Sequence, residues 1–375
     1  MSNLPASIYI HIPFCLSKCG YCSFYSIKSN KLIPQYLKAL EKEIEFYSDL
    51  FSSFDTIYIG GGTPSLLTPK QIDFILQVVK NKFRMAKGTE ITMEANAGDI
   101  SQSYLKEVHA LGINRLNIGI QSFDDRILKF LGRRHSAKEA FGALTDARKA
   151  GFKNLGIDLI YGVHGQTGKL WEDTIKKALE YLPEHLSCYQ LSLDAETPLG
   201  KEYRQAGWKL PDEKAALKYF NAGADLLEAE GYVHYEVSNF ARQEEYYSRH
   251  NSRYWRHEPY LGVGAAAHSY LANQRWWNKC SVAGYIKDIA EGKKPVAANE
   301  QLTDEQLRLE ALFLGLRTKR GVDLKDYKRR YGVDLIKDNE SFFEELIKNK
   351  LVIMQNGFLR PTRAGMAVAD SLALI

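Results

Sequence analysis

The chain lacks the features that would place it in a membrane or outside the cell. None of the apolar runs in its 375 residues is long enough to span a bilayer. Its start, Met1-Ser-Asn-Leu-Pro-Ala-Ser, has no basic stretch followed by an apolar one, so it does not read as a secretory signal. A cytoplasmic location is expected. There is no low-complexity tract and no long basic run. Fifty Lys and Arg against 45 Asp and Glu leave a mild +5, with the cations scattered. That pattern gives no footprint for nucleic acid. It is compatible with a weak, peripheral attraction to acidic membrane surfaces. Cysteine is also scarce, at five residues: Cys15, Cys19, Cys22, Cys188 and Cys280. In a reducing compartment the first three read as a metal site rather than as disulfides. Cys188 lies in an apolar, strand-like run and reads as core.

The length exceeds one ordinary domain and suits a large barrel with an appendage. Ile8–Phe14 alternates two kinds of side chain, as a strand with two different faces does. Further β-like runs follow at 56–60, 90–96, 114–121, 154–161 and 186–193. Helical patterns lie between them: Leu37, Leu40, Ile44 and Tyr47; Ile72, Ile75 and Val79; Leu105, Val108 and Leu111; Trp171, Ile175, Leu179 and Leu182; Leu217, Phe220, Leu226 and Leu227. Six strand–helix units within residues 1–238 predict an α/β fold with a parallel sheet. Six units rather than eight predict a partial (β/α)6, TIM-like barrel, with its chemistry where the strands end. Residues 239–300 read as an irregular, aromatic-rich connecting segment. Residues 301–375 read as a separate winged-helix-like module: three helices, then a hairpin turned at Asn356-Gly357.

The most specific signal is Cys15-Leu-Ser-Lys-Cys19-Gly-Tyr-Cys22, a C-x3-C-x2-C spacing just after the first strand. A [4Fe–4S] cluster ordinarily takes four thiolates, so three leave one iron open to a small chelating ligand. A zinc site completed by His11 is the alternative, but zinc favours paired short spacings and no second pair exists.

This motif resembles the hallmark of the radical SAM superfamily. That resemblance implies a [4Fe–4S] cluster on Cys15, Cys19 and Cys22, and bound S-adenosylmethionine (SAM), which the family cleaves to a 5′-deoxyadenosyl radical. Other segments follow in a specific order: Tyr9-x-His11-x-Pro13-Phe14-Cys15, Gly60-Gly-Gly-Thr-Pro-Ser65, Glu94-x-Asn96, Ile120-Gln-Ser-Phe123, Leu131-Gly-Arg-Arg-His135 and Asp158-Leu-Ile-Tyr-Gly162. Together they resemble the branch holding oxygen-independent coproporphyrinogen III oxidase and the heme chaperone HemW family, along nearly the entire chain. The resemblance implies SAM contacts at Tyr9, Gly61, Gly62, Thr63, Glu94, Gln121, Arg133 and Asp158. Ala97 departs from a proline common at that place. Without a ligand, Asp158 would be expected to pair with Arg133 or Arg115, because a lone buried carboxylate is costly.

Three features separate the two members of the branch. Phe24 stands where the oxidase resembles C-x3-C-x2-C-x-C, with a fourth cysteine. Only fourteen residues precede Cys15, against a long extension in the oxidase. His250-Asn-Ser-Arg-Tyr-Trp255 resembles the HNxxYW signature of the chaperones. Heme wants an axial imidazole, flat walls and cations for its propionates. His250 is the expected ligand, with His257 and His268 as rivals. Tyr254 and Trp255 would be the walls, and Arg249, Arg253 and Arg256 the cations. His234 reads as structural. The resemblance implies transfer of heme to apo-hemoproteins such as respiratory enzymes, and leaves room for a homodimer. The alternatives are coproporphyrinogen dehydrogenase, a heme-degrading radical SAM methyltransferase, and a redox-sensing winged-helix regulator.

Overall fold

The computed structural model describes residues 5–205 and 207–373. Six strands run parallel and side by side in chain order: β1 (Ala6–Ile12), β2 (Ser53–Gly61), β3 (Arg84–Asn96), β4 (Arg115–Gln121), β5 (Leu155–Tyr161) and β6 (His185–Gln190). The helices between and after them are α1 (Ile33–Glu45), α2 (Pro69–Lys82), α3 (Gln102–Ala110), α4 (Asp125–Phe130), α5 (Ala137–Lys149), α6 (Gly168–Leu179), α7 (Pro198–Tyr203) and α8 (Glu213–Ala229). Helix starts are set locally. Thr68 with Gln71 and Ser136 with Glu139 form reciprocal capping boxes, and Pro69 opens α2 at its first turn.

Alternation along each strand separates core from site. Ile8, Ile10, Ile12, Ile57, Ile59, Met93, Leu116, Ile118, Ile157 and Leu186 are buried in the apolar layer beneath the helices. Their neighbours on the other face are polar: Tyr9, His11, Tyr58, Glu94, Asn117, Gln121, Asp158 and Ser187. A parallel strand buried on both faces is ordinarily apolar throughout. Here the inner face is a polar, concave surface.

The sheet extends beyond the six strands, and residues 239–300, read as irregular, supply most of the added ones. β7 (Val233–Glu236) and β8 (Asn239–Ala241) extend it beyond β6. After α9 (Arg249–Trp255), β9 (Tyr260–Val263) pairs parallel with β1. Strands β10 (His268–Leu271) and β11 (Gln274–Asn278) follow, then α10 (Val282–Ala290) and β12 (Val296–Gln301). The result is a 12-stranded sheet with the six-strand barrel arc at its centre.

Two positions of the helical patterns fall outside the buried faces. Leu217 is 45% exposed, whereas Leu227 is buried as expected, Phe220 and Leu226 pack against the core, and Ala216, Gly223 and Ala224 join the buried face. The stripe is small because Trp171 of α6 lies against it: a Cβ on Gly223 would stand 3.1 Å from the indole nitrogen. Leu182, expected to continue α6, has φ +46° beyond its end and is exposed.

The C-terminal module has its own apolar core around Leu312, Leu316, Phe343 and Leu359. It comprises α11 (Asp304–Leu316), β13 (Val322–Asp323), α12 (Leu324–Tyr331), α13 (Glu340–Lys348), β14 (Val352–Gln355) and β15 (Phe358–Pro361). Asn356 (φ +51°) and Gly357 (φ +79°) make the left-handed turn that Asn-Gly favours. Val237 N donates to Arg317 O at 3.0 Å, which ties the module to the barrel's edge.

The strands beside β1 are held by a buried carboxylate. Glu43 of α1 accepts from Gly264 N at 2.7 Å, Tyr285 OH at 2.6 Å and Asn278 Nδ2 at 2.6 Å. Burial pushes its pKa up to about 7. A carboxyl raised in the folded state favours folding fully below its unfolded value near 4.5, and loses that contribution as pH rises through about 7. The loss amounts to about 3 kcal/mol. Thermal melts should therefore show the wild type losing Tm relative to Glu43→Gln between about pH 5 and pH 8. Parallel curves for the two proteins would mean that Glu43 does not titrate in this range.

Candidate functional site

Two cavities open on the concave face. The first, of about 440 Å3, lies at the C-terminal ends of the strands. It gathers Cys15, Cys19, Cys22, Gly61, Gly62, Thr63, Glu94, Gln121, Arg133 and Asp158, ten of the residues that the sequence singles out. Tyr9 and His250 are not among them. Both line the second cavity, of about 890 Å3, which has seven tyrosines in its lining. The two cavities share Ser23, Phe24, Gly61, Glu94 and Tyr189 as a common wall.

The cysteine loop leaves β1 and is anchored at several points. Cys15 N donates to Ile27 O, Gly20 N to Leu131 O, and Leu199 N to Gly20 O. The Thr63 hydroxyl donates to Cys15 Sγ at 3.3 Å, and Arg133 Nη1 to Cys19 Sγ at 3.4 Å. Donors aimed at sulfur suit a thiolate. Burial raises the Cys22 thiol, and charge on Cys19 and Cys15 would raise it further. Bound metal relieves that repulsion by fixing the sulfurs as ligands.

A zinc site completed by His11 does not fit. Its Nδ1 pairs with Tyr9 OH at 3.1 Å and its Nε2 with Tyr25 O at 2.9 Å. Among the described residues no three His, Cys, Asp or Glu side chains converge on a single-ion position. The three thiols instead border one cavity, an arrangement open to a polynuclear cluster.

The glycine loop is tight for reasons of packing. A Cβ on Gly61 would stand 2.7 Å from the His11 ring, and one on Gly62 2.7 Å from Phe14 O. Gly61 N donates to Glu94 Oε2 at 3.2 Å, while Tyr58 OH donates to Oε1 at 2.8 Å. Burial lifts the Glu94 pKa to about 7. Gln121 has φ +69° at a register shift beside β5. A left-handed glutamine is strained, and such strain gathers at functional sites.

Asp158 does not make the ion pair expected of it. Its Oδ2 accepts from Asn117 Nδ2 at 2.6 Å, and its buried Oδ1 has no partner. Burial raises its pKa. Arg133 Nη2 donates to Asn96 Oδ1 at 2.5 Å and to Gly119 O at 2.7 Å, with Nε left unpaired. An orphaned carboxylate oxygen and an orphaned guanidinium N–H in one cavity fit a ligand that carries both donors and acceptors. Sequence reasoning missed Asn117, Tyr189 and Gln190, which also line this cavity. Tyr189 and Gln190 end β6 and could have been found by following every strand to its C-terminal end. Asn117, polar within an apolar strand, carried the same signal as Asp158.

His250, the expected heme ligand, lies in the lining of the larger cavity. It is 1% exposed. Its Nδ1 pairs with Thr56 Oγ1 at 2.8 Å and its Nε2 with Tyr254 OH at 2.7 Å. Whichever tautomer it holds, neither nitrogen offers a free lone pair to an iron. Burial keeps the ring neutral, with its pKa lowered to about 3. The arginines expected for propionates are engaged as well. Arg253 holds Asp55 and Glu258, Arg249 holds Gly88 O and lies 3.5 Å from Asp55, and Arg256 holds Glu258. Tyr254 and Trp255 do line the larger cavity. His234 is buried, bonded to Val237 O at 3.1 Å and stacked on Phe240, as a structural histidine is.

Residues 9–178 match the radical SAM superfamily, and residues 302–368 match the HemN C-terminal domain. The heme chaperone HemW of Bacillus subtilis is 36% identical over 371 residues, covering 98% of this chain and 97% of that protein. The heme chaperone HemW of Lactococcus lactis is 33% identical over 374 residues, covering 99% and 97%. Among solved structures, coproporphyrinogen III oxidase (HemN) from Escherichia coli superposes with a TM-score of 0.85 at 24% identity, covering 99% of this chain and 89% of that one. That likeness extends the shared fold to the C-terminal module. With full-length relatives at this level of identity, the chain belongs to the heme chaperone HemW family of the radical SAM superfamily.

Proposed function

We propose that this protein carries heme to apo-hemoproteins, in a chamber that adjoins a [4Fe–4S] cluster and SAM. The carrying observation is the shared wall. A tyrosine-lined cavity of about 890 Å3 meets the cysteine cavity across Gly61, Glu94 and Phe24. Its size lies within the range of cofactor pockets. Cys15, Cys19 and Cys22 hold the cluster, and Gly61, Gly62, Thr63, Glu94, Gln121, Arg133 and Asp158 hold SAM. Tyr9 faces the chamber from next door. A cluster bound there supplies an electron-transfer centre with one iron free to chelate. The chain's own residues orient the ligand: Asp158 Oδ1 accepts from it, and Arg133 steadies the sulfur of Cys19.

Phe24 supports the carrier over the oxidase. It occupies the place of the oxidase's fourth cysteine and is 63% exposed between the two cavities. The recipients are apo-hemoproteins such as respiratory enzymes, met in the cytoplasm. Peripheral membrane association and a homodimer belong to the same reading, the first supported by the mild positive charge. Among the described residues no helix is long and apolar enough to cross a membrane.

Anaerobic reconstitution with iron and sulfide, followed by SAM, heme and coproporphyrinogen, tests the reading by mass spectrometry. Heme should be bound and recovered intact, with coproporphyrinogen untouched. Robust conversion to protoporphyrinogen would make the protein a dehydrogenase, and an opened macrocycle would make it a heme-degrading enzyme. Cys15→Ala, Cys19→Ala and Cys22→Ala should each lose the cluster's iron and visible absorbance.

Asp158→Asn keeps the size and the bond to Asn117 but removes the charged acceptor. SAM affinity, measured calorimetrically on cluster-loaded protein, should fall by about 1.5–3 kcal/mol, roughly ten- to a hundredfold. Unchanged affinity would take Asp158 out of the SAM site.

A further inference from the structure

A third cavity, of about 870 Å3, is lined by both the barrel's edge and the C-terminal module. It shares Trp255, His257 and Glu258 with the tyrosine-lined chamber, as a partition between the two. We propose that this junction cavity is a second, weaker station for an anionic tetrapyrrole, held by its carboxylates rather than by its metal. This rests on the heme-carrier reading and adds where the ligand goes when it leaves the chamber.

The cations are the first argument. Lys319, Arg320 and Arg360 line the cavity, and among the described residues none of them is paired with a carboxylate. The guanidiniums of Arg320 and Arg360 stand 5.6 and 5.2 Å from the Phe358 ring, two charges gathered about one phenyl. Like charges held together without counter-ions suit an anion. The cavity's own carboxylates are otherwise placed. Glu258 and Asp326 sit in ion pairs, Asp323 caps α12, and Glu244 is exposed. In the tyrosine-lined chamber the balance is reversed. Its one lining cation among the described residues, Arg275, lies between Glu300 and Glu310.

Buried donors are the second argument. Trp255 Nε1 and Arg360 Nε are shut off from solvent and have no partner. The His257 side chain is 6% exposed, and neither ring nitrogen is hydrogen-bonded, although Glu310 stands 3.4 Å from Nε2. Buried N–H groups without partners are costly, and an acceptor-rich ligand would satisfy them. The walls suit a flat body. Tyr235 and Tyr247 stack at 4.0 Å and 11°, and Trp255, Tyr327 and Tyr331 complete the aromatic lining.

The backbone carries the cations to this place. Lys319 N donates to Tyr235 O at 2.9 Å and Thr318 bridges to Glu236, so the loop before β13 lies along β7. Gly321 (φ +73°) ends that loop, and a Cβ there would fall 2.1 Å from Leu359 O. Only glycine allows so close an approach to β15, and the approach brings Arg320 to the same phenyl as Arg360.

Metal-free protoporphyrin IX tests this, since it cannot use an iron ligand. Full-length, cluster- and SAM-loaded protein is given one equivalent of hemin, then titrated with the porphyrin and followed by porphyrin absorbance and tryptophan fluorescence. One further equivalent should bind. The dimethyl ester, which lacks the charges, should bind about tenfold more weakly or worse. Lys319→Ala/Arg320→Ala should weaken the porphyrin by about tenfold or more and leave the spectrum of the first hemin unchanged. Both side chains are exposed, so the fold does not depend on them. The inference is overturned if no further porphyrin binds, if the ester binds as well as the free acid, or if the double variant binds as wild type. It is also overturned if ATP displaces the porphyrin, which would make the cavity a nucleotide site. A wild type that takes no hemin at the first step, yet takes the porphyrin through Lys319 and Arg320, would remove the carrier reading and leave the station standing.

Discussion

Strand β1 carries the cysteine loop, and its value to the site depends on what lies along its second edge. In a closed barrel that edge would meet another barrel strand. Here it meets β9, and the carboxylate of Glu43 makes the junction firm by collecting Gly264 N, Asn278 Nδ2 and Tyr285 OH from three separate places after residue 260. Leaving any of these donors unpaired in the interior would cost about 1–3 kcal/mol. The carboxylate therefore does what a run of apolar contacts could not. It fixes the orientation of β9–β11 relative to α1, and with it the rear wall of the larger chamber.

A second consequence follows from the strand alternation. Because the outward residues are packed under helices, every polar inward residue is confined to one concave surface. Confinement explains the raised carboxyls: burial lifts Glu94 to about 7 and also raises Asp158. Glu94 is bonded to Tyr58, which lines the chamber, and to Gly61, which lines both cavities. A charge placed in either cavity alters the field at this one carboxyl, in surroundings where screening is weak.

What was legible in the sequence was local. The cysteine spacing, the glycine run and the strand ends all lie within short stretches, and ten of the twelve residues singled out do line one cavity. The failures were long-range. Nothing near His250 announces that Thr56, 194 positions earlier, takes its Nδ1. The strands after residue 239 were illegible because they are short and because their pairing partners are far off in sequence or antiparallel. The small-residue stripe of α8 was missed because a hydrophobic period counts large side chains, whereas Trp171 needed room.

The contrast between carrying a porphyrin and transforming one comes down to how the chamber treats its edges. An enzyme gains from fixed, desolvated contacts that hold the reacting groups in place. A carrier needs enough buried apolar surface for affinity and few polar clamps that must be broken on release. Among the described residues this chamber has seven tyrosines and one lining cation, Arg275, paired with two carboxylates. At its boundary Phe24 is 63% exposed. An uncovered phenylalanine forgoes about 1.5–3 kcal/mol of burial, and a flat apolar ligand drawn across it would supply that burial reversibly. A thiol at the same position would offer a further metal ligand and little apolar surface. On the carrier reading, Phe24 thus lets the wall between cluster and chamber hold a ligand by contact area rather than by a metal–sulfur bond.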